Sequence, residues 1–244
     1  MSLVSRIALK CVSKARHARL SANTRFSHSI VIPEATYSPW NDDKDFVSAF
    51  RMIKQNTLVD IYRAHELWSL VKETSRLGGD ILEVGVWRGG TGCLMAAQAK
   101  QSEPSATVFL CDTFSGVVKA SAHDSHYQGG EHSDTSVDTV RQLANKMKLN
   151  NIELLEGIFP DVTGDRIENR KFSLCHIDVD VYESAKQVAE WVWPRLVPGG
   201  IVVYDDYGFL ACEGVTNLVN ERHPNRGAIT LHNLNGHAVV VKVA

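Results

Sequence analysis

No stretch of this sequence approaches the ~20 consecutive apolar residues that a membrane-spanning helix requires, so a soluble chain with no transmembrane segment is expected. Its five cysteines (Cys11, Cys93, Cys111, Cys175 and Cys212) are scattered and form no CxxC pair. An odd number without metal-ligand spacing speaks against a disulfide framework and fits buried or idle thiols in a reducing compartment. Internal repeats are absent, and so is any sign of a second folded domain. Acidic side chains are missing from residues 1–33, which hold six basic ones (Arg6, Lys10, Lys14, Arg16, Arg19 and Arg25). The rest of the chain has 20 Lys and Arg against 28 Asp and Glu. A net acidic body argues against nucleic acid as a partner, because phosphate binding calls for a basic face.

The acid-free segment supports three readings. It has the composition of an organellar transit peptide. It also fits a basic amphipathic helix on an anionic surface, with Val4, Ile7, Ala8, Cys11, Val12 and Ala15 at helical spacing, or a solvated extension. Residues 1–38 are therefore expected to be a basic N-terminal extension and 39–244 a single domain. A cytoplasmic location is expected, or an organellar one if the extension is a transit peptide.

From Pro39 onward the pattern is that of a packed domain. Phe46, Phe50 and Ile53 recur at helical spacing behind Asp42 and Asp43, either of which is a capping residue. A second helix is expected from about Leu58 to Arg76, with Ile61, Ala64, Trp68 and Val71 inward and Gly78-Gly79 ending it. Short apolar runs follow, predicting strands at 81–84, 107–111, 152–155, 172–177 and 201–204. Helical patterns lie between them near 91–100, 136–148, 184–193 and 212–222. Such alternation predicts a parallel sheet covered by helices on both faces. The last two strands, 228–232 and 238–243, flank Asn233-Leu234-Asn235-Gly236 and read as an antiparallel hairpin. The expected fold is thus α/β and Rossmann-like, with a mostly parallel seven-stranded sheet.

Three motifs carry chemistry. The first is Leu82-Glu83-Val84-Gly85-Val86-Trp87-Arg88-Gly89-Gly90-Thr91, a strand, a glycine turn and a helix start. Glycine lets a ligand approach the backbone closely, and the helix start offers free N–H groups. Dinucleotide sites use G-x-G-x-x-G, but here Trp87 stands where the middle glycine would be. A pyrophosphate would be crowded out, whereas a methionine moiety needs less room and Glu83 offers a charge for its ammonium group. A tight turn without a ligand is the plain alternative. The second motif is Asp112, at the end of a predicted strand, where a carboxylate accepts ribose hydroxyls or else caps a turn. It supports a nucleoside cofactor without choosing between nicotinamide and S-adenosylmethionine.

The third motif is the most informative. Asp178 closes one predicted strand and Asp205-Asp206 the next. Neighbouring parallel strands bring their carboxyl ends to one edge of the sheet, so the three carboxylates should converge there. They cannot all stay charged without a cation, and hard oxygen donors suit Mg2+ or Ca2+ rather than zinc. A cation there would favour loss of a proton from a substrate hydroxyl. The competing reading has Asp205-Asp206 capping the following helix and Asp180 capping the helix that starts near Tyr182. Three histidines (His123, His126 and His132) crowd the polar segment 122–132, read as a mobile lid or a solvated loop in preference to a metal site. His223 and His237 are read as surface or end-of-strand residues without a role, and Trp191 and Trp193 as core.

Glu83–Gly85, Asp112 and Pro198-Gly199-Gly200 resemble class I methyltransferases in general, and Leu82–Gly90, Asp112-Thr113-Phe114-Ser115-Gly116, Ile177–Ser184 and Asp205-Asp206-Tyr207, taken in order, resemble the macrocin O-methyltransferase (TylF-type) family among them. The resemblance covers roughly residues 50–243. It implies an S-adenosylmethionine- and Mg2+-dependent O-methyltransferase acting on a hydroxyl of a sugar or other natural-product-like small molecule, possible as a homo-oligomer. By resemblance, Asp178, Asp205 and Asp206 are the metal ligands, and Asp178 also takes the hydroxyl proton. The implied cofactor contacts are Thr57, Glu83, Gly85, Trp87, Gly89, Asp112, Thr113, Ser115, Gly157, Ile158 and Asp178. Val179 stands where the family commonly has glycine and Ser115 where it has Glu; residues 116–135 match nothing in it. The alternatives are a catechol-type O-methyltransferase, a nicotinamide-dependent oxidoreductase and a non-catalytic binding protein of the same fold.

Overall fold

The computed structural model describes residues 4, 11–12, 19–20, 26–31, 35–222 and 227–243. Two compact units are present, Met1–Pro39 and Trp40–Ala244. In the first, Arg19–Leu20 and His28–Ser29 pair antiparallel. The helix expected through Ile7, Ala8 and Ala15 lies outside the described residues, as does His223. Among the described residues no helix is long and apolar enough to cross a membrane.

The second unit begins with two helices, each capped as its sequence requires. In α1 (Lys44–Ile53) the Asp43 carboxylate accepts from Phe46 N at 2.9 Å, and Phe46, Ala49 and Ile53 face inward. Asp43, not Asp42, is therefore the cap. In α2 (Ile61–Thr74) Asp60 accepts from Tyr62 N and Arg63 N. This helix buries Arg63 along with Ala64, Leu67, Trp68 and Val71.

The remaining chain alternates strand and helix: β1 (Asp80–Val84), α3 (Gly90–Ser102), β2 (Val108–Asp112), α4 (Val137–Lys146), β3 (Ile152–Glu156), β4 (Phe172–Ile177), α5 (Tyr182–Val192), β5 (Leu196–Tyr204), α6 (Glu213–Arg222), β6 (Ala228–His232) and β7 (Ala238–Lys242). They form one seven-stranded sheet in the order β3-β2-β1-β4-β5-β7-β6. Pairing is parallel from β3 through β5, and β7 inserts antiparallel between β5 and β6. The fold is the expected Rossmann-like α/β sheet with an antiparallel C-terminal hairpin.

Strand residues alternate between two cores, as the period of two demands. Leu82, Val84, Phe109, Cys175, Val202 and Tyr204 pack under Val188 and Val192 of α5 and Val215 and Leu218 of α6. Ile81, Val108, Leu110, Leu174 and Val203 pack under Leu67 and Val71 of α2, Met95 and Ala99 of α3 and Val140 of α4. Each such large apolar side chain contributes ~1.5–3 kcal/mol on burial before chain entropy is counted. Trp191 and Trp193 are only half-buried, against the margin of the first core. Cys93, Cys111, Cys175 and Cys212 are buried free thiols.

The parity of β1 has a direct consequence for the site. Glu83 shares its face with Ile81, so its side chain enters the core beneath α2 and α3.

Candidate active site

The carboxyl ends of β1, β2, β4 and β5 meet around one cleft. Gly85, Val86, Trp87, Asp112, Thr113, Gly157, Asp178, Val179, Asp180, Asp205 and Asp206 line it, together with Asn56, Thr57 and Arg63 from the start of α2 and the segment before it.

The glycine turn is held from several sides. Gly85 has φ 88°, and a Cβ there would lie 1.6 Å from the Asp178 carbonyl oxygen. Only glycine lets the turn after β1 touch the turn after β4 so closely. Asp112 ties the turn to β2: its Oδ2 accepts from Val86 N at 2.7 Å and Trp87 N at 2.8 Å, and its Oδ1 from Phe114 N at 2.6 Å. The carboxylate thus caps the turn and lines the cleft at once. Two donors fill Oδ2, which leaves Oδ1 one acceptor position for a ribose hydroxyl.

The three aspartates converge. Asp178, Asp205 and Asp206 each place an oxygen so that all three lie within 4.8 Å of one another. Their environments differ sharply. Burial, then the charges of Asp205 and Asp206, pushes the half-buried Asp178 carboxyl well above the ordinary range. Burial, Asp180 and Asp205 do the same to Asp206. Burial would also raise Asp205, but hydrogen bonds with His176 and His237 and the charge of Arg63 outweigh it and hold the group well below the usual range. An ionised carboxylate beside two that resist ionisation is a site that attracts positive charge.

Asp205 is caged. His237 Nε2 lies 2.8 Å and His176 Nε2 3.4 Å from its Oδ1, while Arg63 pairs with its Oδ2. Behind the rings, His176 Nδ1 sits 2.9 Å from Glu83 Oε1 and His237 Nδ1 2.6 Å from Glu66 Oε2. Burial would lower the His176 imidazole, but its bonds to Asp205 and Glu83 push it up to about 10. The reading of His237 as a residue without a role is corrected: it is wholly buried. The antiparallel register that pairs Tyr204 with Ala238 puts the preceding residue against Asp205.

Several other expectations are revised. Glu83 is fully buried and does not line the cleft; it faces His176 and the first turn of α3, where a Cβ on Gly92 would meet its Oε2 at 2.4 Å. Strand parity turns it away from a cofactor's ammonium group. Gly89, Ser115 and Ile158 are likewise outside the lining, with Phe159 present in place of Ile158. Asp205-Asp206 cap no helix, since α6 starts only at Glu213. Asp180 does not cap α5 either. The Tyr182 amide is taken by Asp124 Oδ1 at 2.9 Å, and Asp180 has φ 65° with its N–H on Asp206 Oδ2.

The histidine-bearing segment is pinned at many points. Asp124 Oδ2 accepts from Ser121 N at 2.9 Å while its Oδ1 holds α5. Arg88 bonds Asp134 at 2.5 Å, and Trp87 Nε1 donates to Asp134 Oδ1 at 2.8 Å. Its three histidines are dispersed: His123 stacks on Tyr182, His126 packs against Tyr127, and His132 lines the cleft. None joins a cluster with metal-ligand spacing among the described residues. Val117, Val118 and Tyr127 also face the cleft.

The family model described as Macrocin-O-methyltransferase (TylF) matches residues 32–239. Mycinamicin III 3''-O-methyltransferase of Micromonospora griseorubida is 30% identical over 69% of this chain and 71% of its own length. The 8-demethyl-8-(2,3-dimethoxy-alpha-L-rhamnosyl)-tetracenomycin-C 4'-O-methyltransferase of Streptomyces olivaceus is 32% identical over 69% of each chain. Among solved structures, the O-methyltransferase NovP superposes with a TM-score of 0.67 at 22% identity, over 78% of this chain and 83% of its own.

Proposed function

Because the chain belongs to the macrocin-O-methyltransferase (TylF) family and is an S-adenosylmethionine-dependent O-methyltransferase, we propose that residues 39–244 form a methyltransferase domain acting, with Mg2+, on a hydroxyl of a sugar or sugar-like small molecule. The observation that carries the metal reading is the meeting of Asp178, Asp205 and Asp206 within 4.8 Å, beside the Gly85 turn. The donor set fits the ion: three hard oxygens, two of them on carboxyls that burial and mutual repulsion keep from ionising. A bound Mg2+ would supply Lewis acidity that favours loss of the acceptor's hydroxyl proton.

The chain's own residues do the rest. Asp112, Thr113, Gly85, Trp87 and Gly157 form the wall on which the nucleoside and the methionine part are expected to rest. Asp178 is the proposed base: its carboxylate receives the hydroxyl proton as the acceptor oxygen bonds to the methyl carbon and the carbon–sulfur bond breaks, leaving S-adenosylhomocysteine. To serve as base Asp178 must start ionised, which a bound Mg2+ would favour; burial then makes that carboxylate a stronger proton acceptor than a free one. The anchored glycine turn and aspartates keep the two reactants in register.

The acceptor class rests on the relatives, one of which is named for methylating a position on a rhamnosyl-bearing compound. A catechol acceptor is the second reading, favoured by the apolar wall of Val117, Val118 and Phe209. Purified protein incubated with methyl-labelled S-adenosylmethionine and a panel of glycosides, diols and catechols, with Mg2+ or EDTA, separates them. Label on a sugar hydroxyl that EDTA prevents is the expected result. Label on catechols alone would move the assignment to the second reading, and full transfer in EDTA would remove the metal.

A further inference from the structure

Asp205 is held by more protein than a simple metal ligand requires. Each carboxylate oxygen offers two acceptor positions. On Asp205 two imidazole nitrogens take Oδ1 and the Arg63 guanidinium takes one position on Oδ2, so a single position on Oδ2 is left for a ligand.

The imidazoles are themselves fixed from behind, in a ladder that crosses the sheet edge from the partly buried Glu66 on α2 through His237, Asp205 and His176 to Glu83 on β1. Glu66 also receives the side-chain amides of Asn233 and Asn235. It thereby clamps the β6–β7 turn and sets the place of His237 beside Asp205. The two histidines and Asp205 could be taken for a metal site in their own right, since their ligand atoms are close. Arg63 already provides the positive charge at this carboxylate, and each ring has a carboxylate on both sides, which leaves neither ring a nitrogen free for a metal.

We infer that His237, anchored by Glu66 and matched by His176 on the other side, is a positioning residue that fixes the plane of Asp205 and so presents its remaining oxygen position to the cleft beside Asp178 and Asp206. The inference rests on the reading of the three aspartates as a divalent-metal site. A partner behind a ligand removes the ligand's rotational freedom, and losing such a partner typically weakens metal binding by ~10–100-fold.

The test uses Mn2+ as probe, its free concentration read by electron paramagnetic resonance, on the full chain and on His237→Leu, His237→Gln, Glu66→Ala and Asp178→Ala. Leucine fills the space without a donor; glutamine restores an N–H near the place of Nε2. His237→Leu and Glu66→Ala should weaken Mn2+ binding by ~10-fold or more, and His237→Gln should stay within ~3-fold of the parent. S-adenosylhomocysteine affinity, measured calorimetrically without metal, should be the same in the parent and in the His237 and Glu66 variants. Parent-like Mn2+ binding by His237→Leu overturns the inference, as does a glutamine variant as weak as the leucine one. If His237→Leu fails to fold, Glu66→Ala decides by the same criterion. If the parent and Asp178→Ala both fail to bind Mn2+, the metal reading falls by itself. Positioning is then read from nuclear magnetic resonance of 15N-labelled histidine rings. A slowly exchanging ring proton on His237, lost in Glu66→Ala, supports it; an unchanged Glu66→Ala spectrum overturns it.

Discussion

The Tyr127 hydroxyl donates to Asp180 Oδ1 across 2.7 Å, joining the 116–135 segment to the turn that follows Asp178. Tyr127 lines the cleft, so this bond closes one wall of the site. A hydrogen bond to a charged group contributes ~1.5–3 kcal/mol. Tyr127→Phe should therefore leave the global fold intact but loosen the segment. Amide exchange across residues 117–130 should quicken by ~10-fold or more, and acceptor KM should rise more than kcat falls. Exchange unchanged in that segment would mean that its other anchors, Asp124 and Asp134, suffice.

Glu83 offers a sharp contrast between what family resemblance implies and where strand parity puts the residue. It faces His176 in the core at 2.9 Å and not the cleft. Glu83→Gln should cost ~2–3 kcal/mol of stability, since it removes the charge of a buried partner. Affinity for S-adenosylhomocysteine should change by less than ~3-fold, a difference under 1 kcal/mol. Chemical denaturation and titration calorimetry give the two numbers. A large loss of affinity with normal stability would restore the ammonium contact.

What the sequence made legible follows from which signals are local. Apolar runs and their turn residues located the strands to within a few residues, and two strand ends were enough to bring Asp178 and Asp205-Asp206 together. His237 was illegible because its place depends on the register between β5 and β7, where Tyr204 pairs with Ala238 over a long separation. Arg63 and Glu66 were hidden for another reason. A polar residue on an amphipathic helix reads as solvent-facing, yet the first turns of α2 lie over the sheet edge, where polar partners await both. The 116–135 segment was polar by composition, and its tie to the body was hidden because Asp124 reaches the amide of Tyr182, a contact that no local pattern announces.

The Gly85 turn yields a prediction about geometry alone. An added methyl would lie 1.6 Å from the Asp178 carbonyl oxygen, and φ 88° is itself unfavourable for alanine. The turn after β1 must move, taking with it the Val86 and Trp87 amides that Asp112 holds. Gly85→Ala should weaken S-adenosylhomocysteine binding by at least ~100-fold, equivalent to ~2.7 kcal/mol, whether or not the protein remains folded by circular dichroism. Binding within a few-fold of the parent would show that the ligand does not use this turn.

The last prediction concerns charge. Asp178 and Asp206 lie close to an Asp205 that Arg63 and two histidines keep ionised, and both are driven upward, by burial first and by their neighbours next. Without a cation this crowding opposes folding; with one it becomes attraction. Asp178→Asn should therefore raise the melting temperature of the metal-free protein, because it removes one of the repelling carboxylates. Mg2+ should raise the melting temperature of the parent, since a ligand of the folded state at ~100 times its Kd adds ~2.7 kcal/mol, and should do little for Asp178→Asn. Methyl transfer by this variant should fall by ~100-fold or more, as expected for loss of a general base. The pair of measurements separates charge from chemistry. A variant that is stabilised, indifferent to Mg2+ and inactive fits a residue that both holds the ion and takes the proton. A variant that is inactive but still stabilised by Mg2+ as strongly as the parent would leave Asp178 the proton and give the ion to Asp205 and Asp206.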